Sequence, residues 1–265
     1  MDLGLKGKVA IITGGSEGIG KAAAHRMAQE GARVAIVARR QDVLQKAADQ
    51  IKKETGGTVL PVQGDVTRPE DIERVVKTVA STFGGINILV NNAGTSAAGP
   101  FEQTTDEQWM ADFELKVWAA VRFCRLVIPH MRRAGGGRII NVTNLAAKAP
   151  GARSVPTSVS RAAGLALTKV LSKELAPDNI LVNTVCIGFI KSGQNERRYE
   201  KAKAQEPGLT LEEFYQREAK ARGIPLGRVG ESWEAGDVIA FLASERASYL
   251  TGIAVNIDGG LSPVV

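Results

Sequence analysis

The chain has 265 residues, of which 44% are hydrophobic, 23% charged and 5% aromatic, and its formal net charge is +6. This composition excludes disordered and fibrous classes, and the length suits one α/β domain over residues 1–265. Because the Lys and Arg residues are dispersed and aromatic residues are few, a nucleic-acid-binding groove is not expected. We expect local positive charge to serve an anionic cofactor or a small-molecule substrate.

The N-terminus, the cysteines and the histidines indicate the cellular setting. No basic region followed by an apolar signal stretch opens the chain, and no apolar run reaches membrane-spanning length. Cys124 and Cys186 each lie inside apolar runs, as buried thiols in a reducing compartment do. Two histidines offer no metal cluster. We therefore expect a soluble, cytoplasmic protein with no metal and no membrane partner.

Short β-branched runs alternate with longer helical patterns along the chain. Continuous apolar strands are typical of a sheet buried on both faces, and intervening helices produce right-handed crossovers. The pattern predicts a Rossmann-type, doubly wound, seven-stranded parallel sheet with helices on both faces. The predicted strands are residues 9–13, 32–38, 58–66, 86–92, 137–144, 180–187 and 254–258.

The helical patterns occupy residues 18–30, 40–54, 69–83, 105–133, 154–175, 208–221 and 231–243. The charged segment 191–222 interrupts the alternation, and we expect it to form a helical lid over the sheet. Its Phe214 and Tyr215 are candidate substrate contacts, although helical spacing favours packing on the body. On the predicted long helix we interpret four aromatic residues as core or subunit interface: Trp109, Phe113, Trp118 and Phe123.

A glycine-rich turn, TGGSEGIG at residues 13–20, follows the first strand directly and opens the first helix. Glycines here let pyrophosphate approach the helix N-terminus and let the helix pack closely on the strand. The context of strand, turn and helix makes the motif specific for a dinucleotide. The candidate cofactor contacts in the turn are Gly14, Ser16, Gly18, Ile19 and Gly20.

The end of the second strand bears on which dinucleotide binds. An acidic residue there would bond the ribose hydroxyls and repel a 2′-phosphate, but the chain has Ala38 followed by Arg39 and Arg40. A guanidinium binds phosphate bidentately, which favours NADP(H) over NAD(H). Glu17 in the glycine turn argues for NAD(H), and a solvated turn is the alternative interpretation of both arginines.

Further motifs follow in order: Asp65-Val66, NNAG at 91–94, ILVNTVCIGFIKS at 180–192 and YLTGIAVNIDGG at 249–260. Together with the glycine turn they resemble the short-chain dehydrogenase/reductase family along essentially the whole chain, and within it the 3-oxoacyl-carrier-protein reductases. The resemblance implies a homodimer or homotetramer. It also implies cofactor contacts at Asp65, Val66, Asn92, Ala93, Gly94, Gly188, Ile190 and Ser192, the last of which is also a candidate helix N-cap.

The catalytic residues that this resemblance implies are all replaced. In the family an Asn, a Ser, a Tyr and a Lys act together, with the Tyr as acid or base on the carbonyl oxygen and the Lys bonding the nicotinamide ribose. An ungapped match places Lys116, Asn144, Thr157 and Arg161 at these positions. No Tyr can take the role from nearby, because all three tyrosines lie beyond residue 198.

Each replacement changes the chemistry that is available. A Thr hydroxyl is a far weaker acid than a phenol, Arg161 can bond the ribose without titrating near neutral pH, and Asn144 can donate to a substrate oxygen. We hypothesise that Lys116 is the proton donor, because neighbouring positive charges lower a lysine pKa. Alternatively, Lys116 fills space with its stem or pairs with Glu114 or Asp112.

We therefore predict an atypical oxidoreductase that uses NADP(H) to reduce a carbonyl or oxidise a secondary alcohol, with Lys116 or water supplying the proton. A catalytically silent dinucleotide-binding homologue, acting as a sensor or partner subunit, is the alternative. A dehalogenase-like activity ranks last, because the relatives with Arg at the Arg161 position keep a Tyr and lack the glycine turn. Lys148 and Arg153 border the substrate loop, where we favour solvated side chains.

Overall fold

A computed structural model describes residues 1–265 and contains one sheet of seven parallel strands. The strands are Val9–Thr13, Arg33–Ala38, Thr58–Gln63, Ile88–Asn91, Gly137–Asn144, Ile180–Ile187 and Ala254–Ile257, labelled β1 to β7. Their order is β3-β2-β1-β4-β5-β6-β7, so the winding direction reverses between β1 and β4. Such a reversal opens a crevice at the carboxyl ends of the strands. The predicted fold class is confirmed.

Nine α-helices connect and cover the strands. They are Gly18–Gln29, Gln41–Thr55, Pro69–Phe83, Asp106–Phe113, Ala119–Arg133, Thr157–Glu174, Gly193–Gln205, Leu211–Arg222 and Ser232–Leu242, labelled α1 to α9. No helix is both long enough and apolar enough to span a membrane.

The two faces of the sheet bury separate cores. In β1, Ala10 and Ile12 pack in the core with α1, α2 and α9, whereas Val9 and Ile11 pack in the core with α3 and α5. All four residues are at most 1% exposed. Because alternate side chains of a strand point to opposite faces, a strand covered by helices on both sides must be apolar throughout. This is why the strands appear in the sequence as continuous apolar runs.

Several predicted elements differ from the structure at their ends, and two of the differences lie close to the candidate site. The third strand ends at Gln63 rather than at residue 66, and Asp65 lies in a turn where its carboxylate accepts hydrogen bonds from the backbone N–H and the hydroxyl of Thr67. The predicted helix 105–133 is interrupted by a π-helical turn at Glu114–Trp118, between α4 and α5. Such turns are rare and are frequent at functional sites, and Lys116 lies at the centre of this one.

The segment 191–222 contains two helices, α7 and α8. Phe214 and Tyr215 are 7% and 4% exposed and pack with Tyr199 and Leu209 in a small apolar cluster of their own. The packing interpretation of these aromatic residues is therefore confirmed, and neither lines the large cleft described below.

Aromatic residues of the α4–α5 region divide between core and surface. Phe123 is 1% exposed and belongs to the core, whereas Trp118 is 47% exposed. Trp109 and Phe113 are half-buried, and their ring centroids lie 6.2 Å apart. The core interpretation is thus confirmed for Phe123 alone. Both cysteines are free and buried, as expected.

Candidate active site

A cleft of about 700 Å³ lies at the carboxyl ends of the central strands. Almost every candidate cofactor contact lines it: Gly14, Ser16, Gly18, Ile19, Arg39, Arg40, Asp65, Val66, Asn92, Ala93, Gly94, Arg161, Gly188, Ile190 and Ser192. Gly20 does not line the cleft. A Cβ atom at Gly20 would lie 2.4 Å from the side-chain nitrogen of Asn92 and 2.4 Å from the carbonyl oxygen of Gly14. Gly20 therefore permits close packing instead of contacting a ligand.

Residues 13–20, which we call the glycine cradle, are shaped by the backbone. Gly14 and Gly18 have φ angles of 64° and 54°, in the left-handed region that favours glycine. Hydrogen bonds join the cradle to the loop after β4, because Thr13 Oγ1 accepts from the backbone N–H groups of Asn92 and Ala93 at 2.9 and 3.0 Å. The carbonyl oxygen of Thr13 accepts from the Asn92 side chain at 2.8 Å.

The cradle leaves the N-terminus of α1 free to bind an anion. Glu17 is the N-cap residue, yet its side chain makes no capping hydrogen bond, and the first turn of α1 contains no acidic residue. The first N–H groups of a helix have no partner within the helix, and they carry partial positive charge. The residues present therefore fit the pyrophosphate of a dinucleotide.

The two arginines after β2 differ in their surroundings. Arg40 forms an ion pair with Glu17, so the acidic residue of the glycine turn is charge-balanced. The side chain of Arg39 is exposed at the cleft and makes no ion pair, and its carbonyl oxygen accepts a hydrogen bond from Gln63 at 2.9 Å. Arg39 is therefore an unpaired cation at this end of the cleft, where Arg197 also lies, 4.0 Å from Glu17.

Behind the cleft lies a group of buried polar side chains that we call the inner cluster: Asp112, Lys116, Thr157, Ser160 and Arg161. The Lys116 side chain is 2% exposed, and its Nζ donates to the Asp112 carboxylate and, at 3.2 Å, to Thr157 Oγ1. It lines an internal cavity of about 30 Å³ rather than the cleft. The predicted alternative of a pair with Asp112 is confirmed, whereas a pair with Glu114 is wrong, because Glu114 pairs with Arg122.

Thr157 joins the inner cluster to the cleft. Its Oγ1 accepts hydrogen bonds from Lys116 Nζ and from the backbone N–H of Ala97 at 2.9 Å. A hydroxyl has two acceptor lone pairs and one hydrogen, so these two donors leave the O–H free to donate. Thr157 is 3% exposed and lines the cleft, whereas Lys116 does not line it.

Arg161 and Asn144 complete the four candidate catalytic positions. Arg161 lies between the cavity and the cleft, where its guanidinium donates to the carbonyl oxygen of Val142 at 2.6 Å and Nε has no partner. A Cβ atom at Gly94 would lie 2.8 Å from this guanidinium, so the glycine makes room for it. Asn144 lines the same cleft, and its buried Oδ1 has no hydrogen-bond partner.

Burial sets the protonation properties of the two cations. It lowers the pKa of Lys116 to about 8. The hydrogen bond to Asp112 raises this pKa, and the charge of Arg161 lowers it. Burial is therefore a larger cause of the lowered Lys116 pKa than the neighbouring positive charge that the sequence suggests. Burial also lowers the pKa of Arg161 to about 10, so the guanidinium stays charged at neutral pH.

Ser160, Lys148 and Ser192 lie outside the four candidate catalytic positions. Ser160, which the sequence motifs did not reveal, donates to Asp112 Oδ2 at 2.6 Å; its only sequence signal is that it precedes Arg161 and follows Thr157 by three residues on α6. Lys148 is not a solvated cation, because its Nζ bonds to the carbonyl oxygen of Ala254 at 2.8 Å. Ser192 is the N-cap residue of α7 without a side-chain cap bond.

Comparisons with known proteins establish the family. The short chain dehydrogenase family model matches residues 8–203. The chain is 34% identical to 3-oxoacyl-[acyl-carrier-protein] reductase FabG of Vibrio cholerae, with 98% of this chain and 99% of the relative covered. It is 36% identical to human dehydrogenase/reductase SDR family member 4, with 97% and 88% covered. The chain therefore belongs to the short-chain dehydrogenase/reductase family.

Solved structures with the same fold include proteins crystallised with a cofactor. L-sorbose reductase from Gluconobacter frateurii, complexed with NADPH and L-sorbose, superimposes with a TM-score of 0.95 at 39% identity over 100% of both chains. An NADPH-bound short chain oxidoreductase from Pseudomonas aeruginosa PAO1, which contains an atypical catalytic center, gives 0.90 at 33% identity over 97% and 98%. These neighbours and the geometry of the glycine cradle support nicotinamide dinucleotide binding.

Proposed function

We propose that this protein is an atypical oxidoreductase that uses NADP(H) to reduce a carbonyl or oxidise a secondary alcohol, with Lys116 and Thr157 moving the proton. The observation that carries the proposal is the hydrogen bond from the buried Lys116 amine to the hydroxyl of Thr157, a residue that lines the cleft. A proton donor is most effective when its pKa lies near the working pH, and that of Lys116 is about 8.

The proton path follows from the donors on Thr157. In the direction of reduction, the Thr157 hydroxyl donates its hydrogen to the substrate oxygen while Lys116 Nζ delivers a proton to Thr157 Oγ1. Transfer of both protons together avoids a free threonine alkoxide, which is a much stronger base than the Lys116 amine. A nicotinamide cofactor in the cleft would supply the hydride for reduction or accept it in oxidation.

The other two replaced positions have binding roles in this proposal. Arg161, held by the Val142 carbonyl oxygen, bonds the nicotinamide ribose with a charge that does not titrate near neutral pH. The Asn144 side chain, which lines the cleft, donates to the substrate oxygen. The inner cluster therefore divides the work that a Tyr and a Lys share in the family pattern.

Preference for NADP(H) depends on Arg39, with Arg40 in support. Arg39 has no ion-pair partner, and a guanidinium is suited to a 2′-phosphate. The ion pair of Arg40 with Glu17 removes the argument that Glu17 made for NAD(H). NADPH is the nucleotide in both structures described above. NAD(H) remains the alternative that a titration distinguishes.

The organisation of the protein is part of the proposal. We propose one domain over residues 1–265, a helical lid at 191–222, a cytoplasmic location and a homodimer or homotetramer. Support for an oligomer comes from exposed apolar side chains on α4, α6 and the π-helical turn, among them Met110 at 64%, Trp118 at 47% and Val170 at 59% exposure.

The test begins with fluorescence titrations of NADPH and NADH, followed by NADPH oxidation with ketoses, diketones, quinones and 3-oxoacyl thioesters. The first and last classes come from the relatives described above. With a substrate in hand, Lys116→Met is expected to lower kcat by ~100-fold without changing NADPH affinity, because a positioned acid contributes this much. The matched control is Lys169→Met, which removes an exposed lysine that bonds to the carbonyl oxygen of Gly252 and to no residue of the inner cluster.

The binding and turnover measurements have three outcomes that contradict the proposal. Near-wild-type turnover by Lys116→Met would exclude Lys116 as proton donor. NADPH binding without turnover in every substrate class would instead support the silent homologue that acts as sensor or partner subunit. Absence of binding to either nucleotide would overturn both.

A further inference from the structure

We propose that Asp112 and Ser160 are positioning residues that hold the Lys116 ammonium against Thr157. This inference rests on the proposed function, because it explains how the proposed proton donor is held. Neither residue belongs to the four replaced family positions, and neither lines the cleft.

The contacts of Asp112 join two helices. Its side chain is 1% exposed, and each carboxylate oxygen has a donor: Oδ1 accepts from Lys116 Nζ, and Oδ2 accepts from Ser160 Oγ at 2.6 Å. Lys116 follows Asp112 by four residues, so the two share a helix face. Ser160 lies on α6 three residues after Thr157. The carboxylate therefore fixes the lysine relative to the hydroxyl that it must reach.

The charges around Lys116 explain why a carboxylate is needed. The charged groups that face it are Asp112 from its own helical stretch and Arg161 from α6. Without Asp112, two cations would lie together out of contact with water, and burial and like charge both disfavour the charged form of an amine. The amine, not the guanidinium, would give up its proton. Asp112 therefore lets Lys116 carry the proton that Thr157 passes on.

Ser160 keeps the carboxylate in place. A buried carboxylate oxygen without a donor is costly, so Asp112 would turn toward other partners if the Ser160 hydroxyl were removed. Ser160 precedes Arg161 directly, and the same turn of α6 therefore sets the positions of Thr157, of the carboxylate and of the guanidinium. A substitution at Ser160 changes the placement of Lys116 without removing any charge.

The direct test measures the ionisation of Lys116 in the free protein, without cofactor or substrate. Lysine is labelled with ¹³C at Cε, the Lys116 resonance is assigned from its loss in Lys116→Met, and its titration midpoint is followed by NMR. In Asp112→Asn we expect the midpoint to fall by about one pH unit or more, because the carboxylate favours the charged amine. The matched control is Glu114→Gln, whose residue pairs with Arg122, and it is expected to titrate as wild type.

A second pair of variants keeps the test decisive if Asp112→Asn does not fold, as judged from its melting temperature. Ser160→Ala is expected to lower the Lys116 midpoint by less than Asp112→Asn does and to lower kcat several-fold with an unchanged KM for NADPH. Ser160→Thr, which restores a hydroxyl, is expected to recover both values. A structural role alone would lower the melting temperature and leave the midpoint at its wild-type value.

Failure of this inference is separable from failure of the proposed function. An unchanged Lys116 midpoint in Asp112→Asn and in Ser160→Ala would overturn the positioning role while leaving Lys116 and Thr157 as the proton path. Near-wild-type turnover by Lys116→Met would overturn the proposed function itself.

Discussion

The glycine cradle and the inner cluster lie at the same edge of the sheet, but they are built from different parts of the chain. The cradle is made from consecutive residues whose backbone angles and N–H groups form the binding surface. The inner cluster is made from side chains on α4, the π-helical turn and α6. The cradle depends on the shape of the backbone, whereas the inner cluster depends on which side chains come into contact.

This difference explains why the two regions relate so differently to the family pattern. A backbone surface tolerates few residues, because a Cβ atom at Gly14 or Gly20 would lie within 3 Å of neighbouring atoms. Side chains on a rigid scaffold can be exchanged while the helices and strands stay in place. The cradle keeps the glycine motif, whereas the four proposed catalytic positions carry Lys116, Asn144, Thr157 and Arg161.

Among the variants of the two regions, Thr157→Val is expected to have the largest effect on turnover. The change keeps the shape of the side chain and removes the hydroxyl, so kcat should fall by ~100-fold while NADPH affinity is retained. Steady-state kinetics and fluorescence titration measure the two quantities. Ser158→Ala is the control, because the neighbouring Ser158 hydroxyl bonds to Ser154 instead of Lys116. Equal losses in the two variants would remove Thr157 from the proton path.

The pH dependence of the wild-type reaction tests the inner cluster without substitution. Reduction requires protonated Lys116, whose pKa of about 8 lies below the usual value of 10.5 because of burial. The rate of reduction should therefore fall above pH 8, by about tenfold per pH unit, as the amine loses its proton. Oxidation of the alcohol should depend on pH in the opposite sense. A reduction rate that is flat to pH 10 would contradict the assignment.

In the glycine cradle the strongest steric clash is expected from Gly20→Ala. The added methyl would lie 2.4 Å from the carbonyl oxygen of Gly14, and this backbone atom can move only if the turn changes shape. We expect NADPH affinity to fall about tenfold and the free energy of unfolding to fall by roughly 1–3 kcal/mol. Urea denaturation and nucleotide titration measure these values. Unchanged values would show that the cradle is less rigid than its contacts indicate.

Arg39→Ala tests the adenine end of the cleft. Loss of the unpaired guanidinium should weaken NADPH binding about tenfold and leave NADH binding unchanged, because only NADPH carries the 2′-phosphate. Arg40→Ala should have a smaller effect on the ratio of the two affinities, since Arg40 already pairs with Glu17. Equal weakening of NADPH and NADH by Arg39→Ala would argue against the proposed phosphate contact.

The smallest effect is expected from Gly164→Ala on α6. A Cβ atom at Gly164 would have no neighbour within 4 Å, in contrast to Gly20. Alanine is the better helix former, so the free energy of unfolding should rise by about 0.5–1 kcal/mol in urea denaturation. Destabilisation would show that glycine is required at this point of α6 as it is in the cradle.

Local patterns made much of the molecule predictable. Apolar runs located all seven strands, because a strand buried on both faces must be apolar at every position. The glycine turn was recognisable since its residues are consecutive and each answers a backbone requirement. The π-helical turn at Glu114–Trp118 was not predicted, because the hydrophobic pattern of α4 and α5 continues through it.

The candidate site was predictable only in part. The aligned motifs indicate Lys116, Asn144, Thr157 and Arg161 as candidate catalytic residues. They do not show which hydrogen bonds these residues make. No sequence motif indicates the bond between Ser160 and Asp112 or the bond of Lys148 to β7.

The parallel sheet and the glycine cradle are predictable from the sequence, and so are the four proposed catalytic positions, because each follows from neighbouring residues or from the order of the motifs. Three features appear only in the folded chain: Lys116 is buried with a bond to Thr157, it pairs with Asp112, and Glu17 pairs with Arg40. The reason is physical: a hydrogen bond or an ion pair needs atoms within about 3 Å. Residues as distant in sequence as Asp112 and Ser160, 48 positions apart, reach that separation only when the helices have packed.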